Sequence, residues 1–449
     1  MENRMLDYIE KNHEVAEQWL CEMIRCKPVN PHFDPSCSEH DVQEYIKKKL
    51  IDLGCEVYEI PVDFNELEEY KYLPGYMPGT SDQISFEGRP NILARFPGTD
   101  PEHSKSVLLS GHCDVVGAAD ADEWDVPPFE GVVKDGIIHG RGSTDMLGGL
   151  AGAMFALDAM VKCGVRPKGD IWINSIVCEE YGGTGALASA NWMKKHDIRP
   201  DVVVMGEGTG ATMISLVCRA IAFVDVVVHG RAGHLERTPG NFRDGDSVDA
   251  IAKARYIMDA IDRLNEDWRT RKDKDHPLLH DPCQAKVSII HGGHHPSSYA
   301  RECVLTIDIQ SLPSEQNEQS LPMSVRAEFE DFLKRACDAD PWLRENPVDI
   351  NWTLDADCCE IDTEHPFVRL LQKNVHEING GGNLAGMTFH YDGGWYGVLN
   401  GAPCLCYGPG NIFKAHGRNE TSEAWQLKDY AKALAITCSE WCDQQKESK

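Results

Sequence analysis

Imidazole and carboxylate side chains recur in this sequence directly after apolar runs or within glycine-rich segments. The first such segment is Ser110–Val116, in which His112 stands two residues before Asp114. A histidine at the end of a strand suits a metal ligand, because a nearby carboxylate can fix its ring by accepting the second ring N–H. A single His-x-Asp pair also occurs as an ordinary polar pair, so its chemistry depends on the other segments.

The second segment, Gly140–Gly149, places Asp145 between glycines at the start of an apolar helical pattern. Capping of that helix by a serine, threonine or aspartate would explain part of this arrangement. Capping does not require glycine on both sides, whereas a backbone folded tightly around a ligating carboxylate often does. The segment therefore favours Asp145 as a metal ligand.

Two adjacent carboxylates, Glu179 and Glu180, directly follow another apolar run. Neighbouring anions are costly unless a cation or a proton compensates them. One of the two can bind metal while the other, pointing elsewhere, takes a proton from the attacking water. Glu207 follows a further apolar run, and His416 lies in a glycine-rich segment near the C-terminus.

The five segments together supply the side chains of a metal centre. Mixed imidazole and carboxylate ligands suit zinc, cobalt or manganese better than calcium or copper. The candidate ligands are His112, Asp145, Glu180, Glu207 and His416, and Asp114 and Glu179 lie within two residues of His112 and Glu180.

The elements that must position these residues alternate between strands and helices. Apolar runs at 106–109, 170–178 and 202–205 alternate with helical patterns at 146–162 and 185–195. This order predicts a parallel sheet covered by helices, and such sheets bind ligands at the carboxyl ends of their strands.

A second domain is predicted from the change of pattern near residue 212. The order there becomes strand, helix, strand, strand, helix, strand, which is typical of a small open-faced sandwich. After residue 355 the chain returns to helices and glycine-rich loops. We therefore expect a catalytic domain over 1–211 and 356–449, with the second domain, 212–355, inserted.

Length and composition favour a cytoplasmic protein. The 449 residues fit two domains, and no apolar run approaches the roughly 18 residues that a membrane span needs. The 17 scattered cysteines and an N-terminal segment without a signal-peptide pattern favour reduced thiols in the cytosol. Acidic residues outnumber basic ones by 72 to 44, and the formal charge of −28 argues against nucleic acid or membrane partners.

The sequence closely resembles the di-zinc metallopeptidase family that contains acetylornithine deacetylase, succinyl-diaminopimelate desuccinylase, aminoacylase and the glutamate-releasing carboxypeptidases. The five segments occur in the family's order with suitable spacing. The resemblance implies an α/β catalytic domain, with a mixed, largely parallel sheet flanked by helices, and an inserted ferredoxin-like α+β lid and dimerisation domain.

The resemblance also assigns metal ligands. It implies two divalent ions, zinc or alternatively cobalt or manganese. His112 and Glu207 would hold one ion, Glu180 and His416 would hold the other, and Asp145 would bridge both.

Three further roles are implied by the same resemblance. Asp114 would orient His112, and Glu179 would be the general base that deprotonates the attacking water and later protonates the leaving nitrogen. His234, in a segment like the family's lid motif, would reach the site of the partner subunit and polarise the scissile carbonyl. A homodimer built through the lid would follow.

The chain departs from the family pattern where substrate is bound. Relatives that act on N-acylated amino acids usually carry Asn-Val-Ile-Pro in the lid and later a strand ending in Asp-x-Arg. This chain has Ser297–Ala300 and then Asp308–Gln310, so the arginine that would grip a substrate carboxylate is missing. Arg301 could replace it or could be an ordinary exposed arginine. Asp392 and Gly393, which aromatic residues surround in sequence, are further candidates for substrate binding.

Three enzymatic functions fit these observations. The preferred one is deacylation of an N-acyl amino acid or related amine, and a dipeptidase or carboxypeptidase could use the same centre. A deaminase or amidase acting on an aromatic compound is the third, because the arginine is missing. A binding or scaffold protein would be expected to lack a ligand or the base, and a nucleotide-binding role would call for a phosphate-loop lysine pattern that does not occur.

Overall fold

A computed structural model describes residues 2–70, 85–119 and 121–446. Within these ranges the chain forms two compact units. The first contains the residues up to Cys218, Cys359–Met387 and those from Tyr391 onward, and the second contains Arg219–Cys358 and Thr388–His390. The second unit therefore starts at 219 rather than at the expected 212, because Met213–Cys218 forms a strand in the main sheet of the first unit.

Strands and helices are identified by their bounds in chain order. The strands are β1 (Glu56–Ile60), β2 (Asn91–Phe96), β3 (Val107–His112), β4 (Val132–Lys134), β5 (Ile137–His139), β6 (Ile171–Ile176), β7 (Val203–Met205), β8 (Met213–Cys218), β9 (Ala220–His229), β10 (Ala285–Gly292), β11 (Glu302–Ser311), β12 (Asp349–Ala356), β13 (Asn383–Met387), β14 (Cys404–Cys406) and β15 (Thr421–Glu423). The α-helices are Glu2–Asn12, Glu14–Arg25, His40–Asp52, Phe64–Leu67, Leu147–Cys163, Thr184–Lys195, Ala250–Trp268, Met323–Ala339, Pro341–Glu345, Pro366–Asn379, Gly394–Asn400 and Ala424–Cys442.

The main sheet of the first unit has eight strands in the order β1-β2-β6-β3-β7-β14-β8-β13. Its central strands β6, β3, β7 and β14 are mutually parallel, so their carboxyl ends lie at one edge. Every residue of β3 and β6 is buried, as expected for strands covered on both faces. The predicted mixed, largely parallel sheet flanked by helices is confirmed.

The helix Leu147–Cys163 is an apolar helix buried along most of its length. It ends at Gly164, whose φ of 68° is the left-handed conformation that commonly terminates helices at glycine. Because this helix starts two residues after Asp145, its packing constrains the backbone at that residue. Among the described residues, no helix is long and apolar enough to cross a membrane.

The second unit has an antiparallel four-stranded sheet in the order β10-β11-β9-β12. Buried and half-buried residues alternate along β9 and β11, because one sheet face packs on helix Ala250–Trp268. That helix is capped by Asp249, whose side chain accepts the N–H of Ile251. The element order and strand order are those of the predicted ferredoxin-like α+β fold.

A small three-stranded sheet, β15-β5-β4, lies beside the segment that carries Asp145. Its antiparallel register pairs Thr421 with His139 and Glu423 with Ile137. The same pairing continues beyond the strand ends, where the N–H of Gly140 donates to the carbonyl of Glu420 at 3.1 Å. Residues 420 and 140, far apart in sequence, are therefore neighbours.

Candidate metal centre

The candidate ligands lie at or after the carboxyl ends of the parallel strands of the first unit. His112 is the last residue of β3, Glu180 follows β6, Glu207 follows β7, and His416 lies in the loop after β14. Parallel strands bring such loops to one edge of a sheet. The five predicted ligands come together there, with Asp145 at the centre.

Two groups of potential ligands share Asp145. In the first group, Nε2 of His112 lies 3.0 Å from Oδ1 of Asp145 and 3.5 Å from Oε1 of Glu207. In the second, Nε2 of His416 lies 2.9 Å from Oε2 of Glu180 and 3.2 Å from Oδ2 of Asp145. Each group offers three ligand atoms within 4.8 Å of one another. The two oxygens of Asp145 therefore face different groups, as a bridging carboxylate requires.

Glu207 provides an independent test of whether a cation fits. Its side chain is buried, and neither carboxylate oxygen has a hydrogen-bond partner. A buried carboxylate without partners is costly, and coordination of a cation would remove this cost. The side chains of this site therefore fit a metal centre.

Burial and neighbouring charges raise the pKa values of several ligands, and a bound cation would lower them again. Burial and the nearby charge of Asp145 raise the pKa of Glu180 to about 8. Burial and the charges of Asp145 and Glu179 raise the pKa of Glu207 well above its usual value. Hydrogen bonds to Asp145 and Glu180 raise the pKa of His416 to about 10. A divalent cation would compensate these carboxylates in place of protons.

Asp114 contacts His112 through its main-chain carbonyl, whereas the sequence predicts a contact through its carboxylate. Nδ1 of His112 lies 2.9 Å from the main-chain carbonyl oxygen of Asp114 and 3.7 Å from its carboxylate. Because a carbonyl only accepts, Nδ1 carries the proton and Nε2 is left for a metal. The carboxylate of Asp114 instead accepts the main-chain N–H groups of Glu179 and Glu180, at 3.1 and 3.2 Å, and the side-chain amide of Asn30.

Glu179 lies beside the ligands but belongs to neither of the two groups that share Asp145. Its Oε2 is 3.8 Å from Nε2 of His112, and its side chain is 14% exposed. The neighbouring Glu180 side chain is 4% exposed and points to His416. Adjacent carboxylates with different surroundings suit two different roles, one as base and one as ligand.

The remaining predicted residues lie in different parts of the molecule. His234 and Arg301 belong to the second unit and are exposed, whereas all five ligands belong to the first unit. Asp392 is fully buried in the first unit, where its carboxylate approaches Gly183, three residues after Glu180.

Gly393 is fixed by packing. A Cβ at this position would lie 2.7 and 2.8 Å from the sulfurs of Cys404 and Cys359. Its lack of a side chain therefore has a structural cause within the first unit.

Sequence reasoning missed a buried ion pair next to the ligands. Nη1 of Arg141 donates to Oε2 of Glu420 at 2.5 Å, and both side chains are at most 3% exposed. Each residue lies four positions from a ligand in sequence, Arg141 from Asp145 and Glu420 from His416. This equal spacing within two motif segments is the signal that could have indicated them.

The fold and the site together define a metal-dependent hydrolase that acts on amide bonds. The chain belongs to Peptidase family M20/M25/M40, whose family model matches residues 108–440. The family resemblance inferred from the motif segments is thereby confirmed.

Curated relatives include two enzymes with the same name. The chain is 29% identical over 98% of its length to N-formyl-4-amino-5-aminomethyl-2-methylpyrimidine deformylase from Halalkalibacterium halodurans, of which the match covers 97%. The Bacillus subtilis enzyme of that name is also 29% identical, with 81% of this chain and 85% of that enzyme covered. A succinyl-diaminopimelate desuccinylase from Wigglesworthia glossinidia brevipalpis is 33% identical over 36% of this chain and 43% of its own length.

Solved structures show the same fold. The dipeptidase Dug1p from Saccharomyces cerevisiae superposes with a TM-score of 0.74, 16% identity and 99% of each chain covered. Human carnosine dipeptidase 1 gives a TM-score of 0.70, 15% identity, and coverage of 99% of this chain and all of its own.

Proposed function

We propose that this protein is a two-zinc hydrolase that removes a formyl or similarly small acyl group from an amine attached to an aromatic ring. The observation that carries the two-ion part is the sharing of Asp145 between two groups of ligands. Zinc is favoured because it accepts mixed imidazole and carboxylate ligands, and cobalt or manganese would suit the same site.

The side chains divide the reaction between them. His112, Asp145, Glu180, Glu207 and His416 would hold two divalent ions, which would supply Lewis acidity to the amide carbonyl and lower the pKa of the attacking water toward neutrality. Glu179 takes the proton from that water and delivers it to the leaving nitrogen. The carboxylate of Asp114 accepts hydrogen bonds from the main-chain N–H groups of Glu179 and Glu180, so it fixes the backbone of both the base and the neighbouring ligand.

His234 is proposed as the donor to the developing oxyanion. It lies on the exposed surface of the second unit, beside Ser298, with which it forms an antiparallel bridge. In a dimer, His234 of one subunit would act at the site of the other. Donors of this kind typically contribute about 3 to 4 kcal/mol to the lowering of the barrier.

Two observations support a substrate that the protein does not bind through a substrate carboxylate. Relatives at 29% identity are named as deformylases of an aminomethylpyrimidine. Gln310 stands where the family resemblance expects an arginine, and its side-chain carbonyl accepts from Nη1 of the buried Arg219 at 2.9 Å. The glutamine side chain is neutral and is engaged within the second unit, so this position offers no cationic anchor for a carboxylate.

A panel of amides tests the substrate class. We expect formate release from an N-formyl aminomethylpyrimidine to exceed that from N-formyl and N-succinyl amino acids, and Gly-x dipeptides to be poor substrates. The measurement is kcat/KM for each compound with the zinc-loaded protein. Faster release from acyl amino acids or dipeptides would contradict the aromatic-amine proposal and favour a deacylase or peptidase.

We also propose a homodimer formed through the second unit. β10 is an edge strand, and Ile289 and Ile290 on it are 47% and 51% exposed. The opposite edge, β12, exposes the polar residues Asp349, Asn351 and Thr353 instead. An exposed apolar edge strand is a template for pairing with a second copy, and symmetric pairing closes the assembly.

Ile290→Asp is expected to weaken the dimer. Burial of one such side chain contributes about 1.5 to 3 kcal/mol, and a dimer with twofold symmetry loses it twice. Sedimentation velocity at increasing concentration should show a dimer for the parent protein and mainly monomer for the variant. Ile51→Asp is the matched control, because Ile51 is 52% exposed on a helix of the first unit. Dimerisation that is unchanged in Ile290→Asp would contradict an interface on this edge.

The cysteines support a reducing compartment, and we propose the cytosol. All 17 are free thiols, and most are buried. Fusion of the chain to a fluorescent protein in its own cell would test this localisation.

A further inference from the structure

The buried pair Arg141 and Glu420 makes hydrogen bonds that the chemistry described above does not use. Oε1 of Glu420 accepts the main-chain N–H of Thr144 at 2.8 Å and that of Asp145 at 3.2 Å. Its Oε2 accepts from Nη1 of Arg141 at 2.5 Å. One carboxylate therefore fixes the backbone of the bridging ligand through two N–H groups.

Arg141 extends the same network to the other ligand segment. Its Nη2 donates to the carbonyl of Gly417 at 3.2 Å, one residue after His416. His416 has a φ of 59°, a left-handed conformation that residues other than glycine seldom adopt. Contacts directly after His416 in the chain, at Gly417 and at Glu420, therefore hold this segment in an unfavourable conformation that directs the imidazole to Asp145 and Glu180.

The small sheet explains why the pair forms. The pairing of β5 with β15 places Glu420 beside Gly140, so Arg141 meets the carboxylate directly after the strand ends. Thr144 adds a second connection, because its hydroxyl donates to the carbonyl of Thr421 at 3.0 Å. The two loops are thus joined to each other independently of the ligands.

We infer that the Arg141–Glu420 pair is a clamp that positions Asp145 and His416 at the spacing required for the second ion, an inference that rests on the proposed two-ion centre. Asp145 belongs to both groups of ligands, whereas His416 belongs only to the second. Loosening the clamp should therefore weaken the second ion more than the first. Both residues are positioning residues, since they act through the ligands.

Arg141→Lys is the variant that tests the clamp. Lysine keeps the positive charge beside Glu420 but lacks the planar fork that reaches Glu420 and the carbonyl of Gly417 together. Loss of such outer contacts typically lowers metal affinity by about 10- to 100-fold. We expect the first zinc to bind as in the parent protein and the second to bind weaker by that factor.

Arg89→Lys is the matched control. Arg89 and Glu39 form an equally buried pair in the first unit, with Nε and Nη2 each 2.5 Å from a carboxylate oxygen. Nη1 of Arg89 donates to the carbonyl of Ser85. Its conservative replacement disturbs a buried ion pair without touching the segments of Asp145 and His416, so both zinc affinities should stay unchanged.

The experiment is a competition titration of the metal-free, full-length proteins with zinc against a chromophoric chelator, with thermal unfolding to establish that each is folded. Two zinc ions on the parent protein, with a selective loss of the second in Arg141→Lys, support the clamp. If Arg141→Lys binds each of the two ions as tightly as the parent protein does, the clamp is overturned. One ion on the parent protein would instead overturn the two-ion function. Glu420→Gln serves if Arg141→Lys does not fold, with the same selective loss expected.

Discussion

Glutamine in place of Glu179 is expected to lower kcat by roughly 10²- to 10⁴-fold, the usual contribution of a general base. The substituted amide cannot take a proton from water, yet it keeps the size of the original side chain. Glu179 lies outside the two groups that share Asp145, so the variant should still bind both ions. Stopped-time assays of amine release, together with metal analysis of the same samples, measure both effects.

Glu180→Gln is the matched control for that prediction, because it alters the adjacent carboxylate. Oε2 of Glu180 is 2.9 Å from Nε2 of His416, so its loss should release the second ion rather than remove a base. The two variants should therefore separate turnover from metal content. A Glu179→Gln protein with nearly unchanged kcat would show that another group accepts the proton.

Asparagine in place of Asp145 is expected to have the largest effect on metal content. Asp145 supplies one oxygen to each group of ligands, whereas asparagine is neutral and offers a single carbonyl oxygen. We expect both ions to be lost and turnover to fall by roughly 10⁴-fold or more, because Lewis acidity and water activation are each worth several kcal/mol. Metal content after dialysis and kcat at saturating substrate are the measurements.

Asp158→Asn provides the corresponding control. Asp158 is a buried aspartate in the same unit, and its carboxylate accepts from the hydroxyl of Tyr8 rather than facing a ligand. Its replacement should leave two ions per chain. Retention of both ions by Asp145→Asn would mean that Asp145 does not bridge, and the ligand assignment would then be wrong.

The fold class and the gathering of the ligands could be predicted from sequence because both depend on local patterns. Apolar runs mark the buried strands, and each ligand follows such a run or lies in a glycine-rich loop. Parallel strands then bring these positions to one edge, whatever the details of packing. His112 and Glu207, at the ends of the neighbouring parallel strands β3 and β7, come together on this basis alone.

Contacts that depend on register could not be predicted in the same way. Asp114 was expected to hold His112 through its carboxylate, but the main-chain carbonyl does so, because Glu179 and Glu180 present their N–H groups to the carboxylate. Sequence spacing indicates that two residues are neighbours, but it does not indicate which atoms meet.

The Arg141–Glu420 pair shows the same limit at long range. The two residues are 279 positions apart, and only the pairing of two three-residue strands makes them neighbours. Strands this short carry little periodicity, so their pairing is not visible in the sequence. The boundary of the second unit differs from the predicted one for a related reason. The apolar residues of β8 would fit a strand of either sheet, so the sequence does not indicate to which unit this strand belongs.

The most direct test of the two-ion account is a zinc titration of the metal-free protein in which bound zinc per chain and formate release from an N-formyl aminomethylpyrimidine are measured in the same samples. We predict that two ions bind, that activity reaches its maximum with the second, and that Glu179→Gln binds two ions without comparable turnover. Full activity in the metal-free protein, or a maximum at one bound ion, would contradict the account.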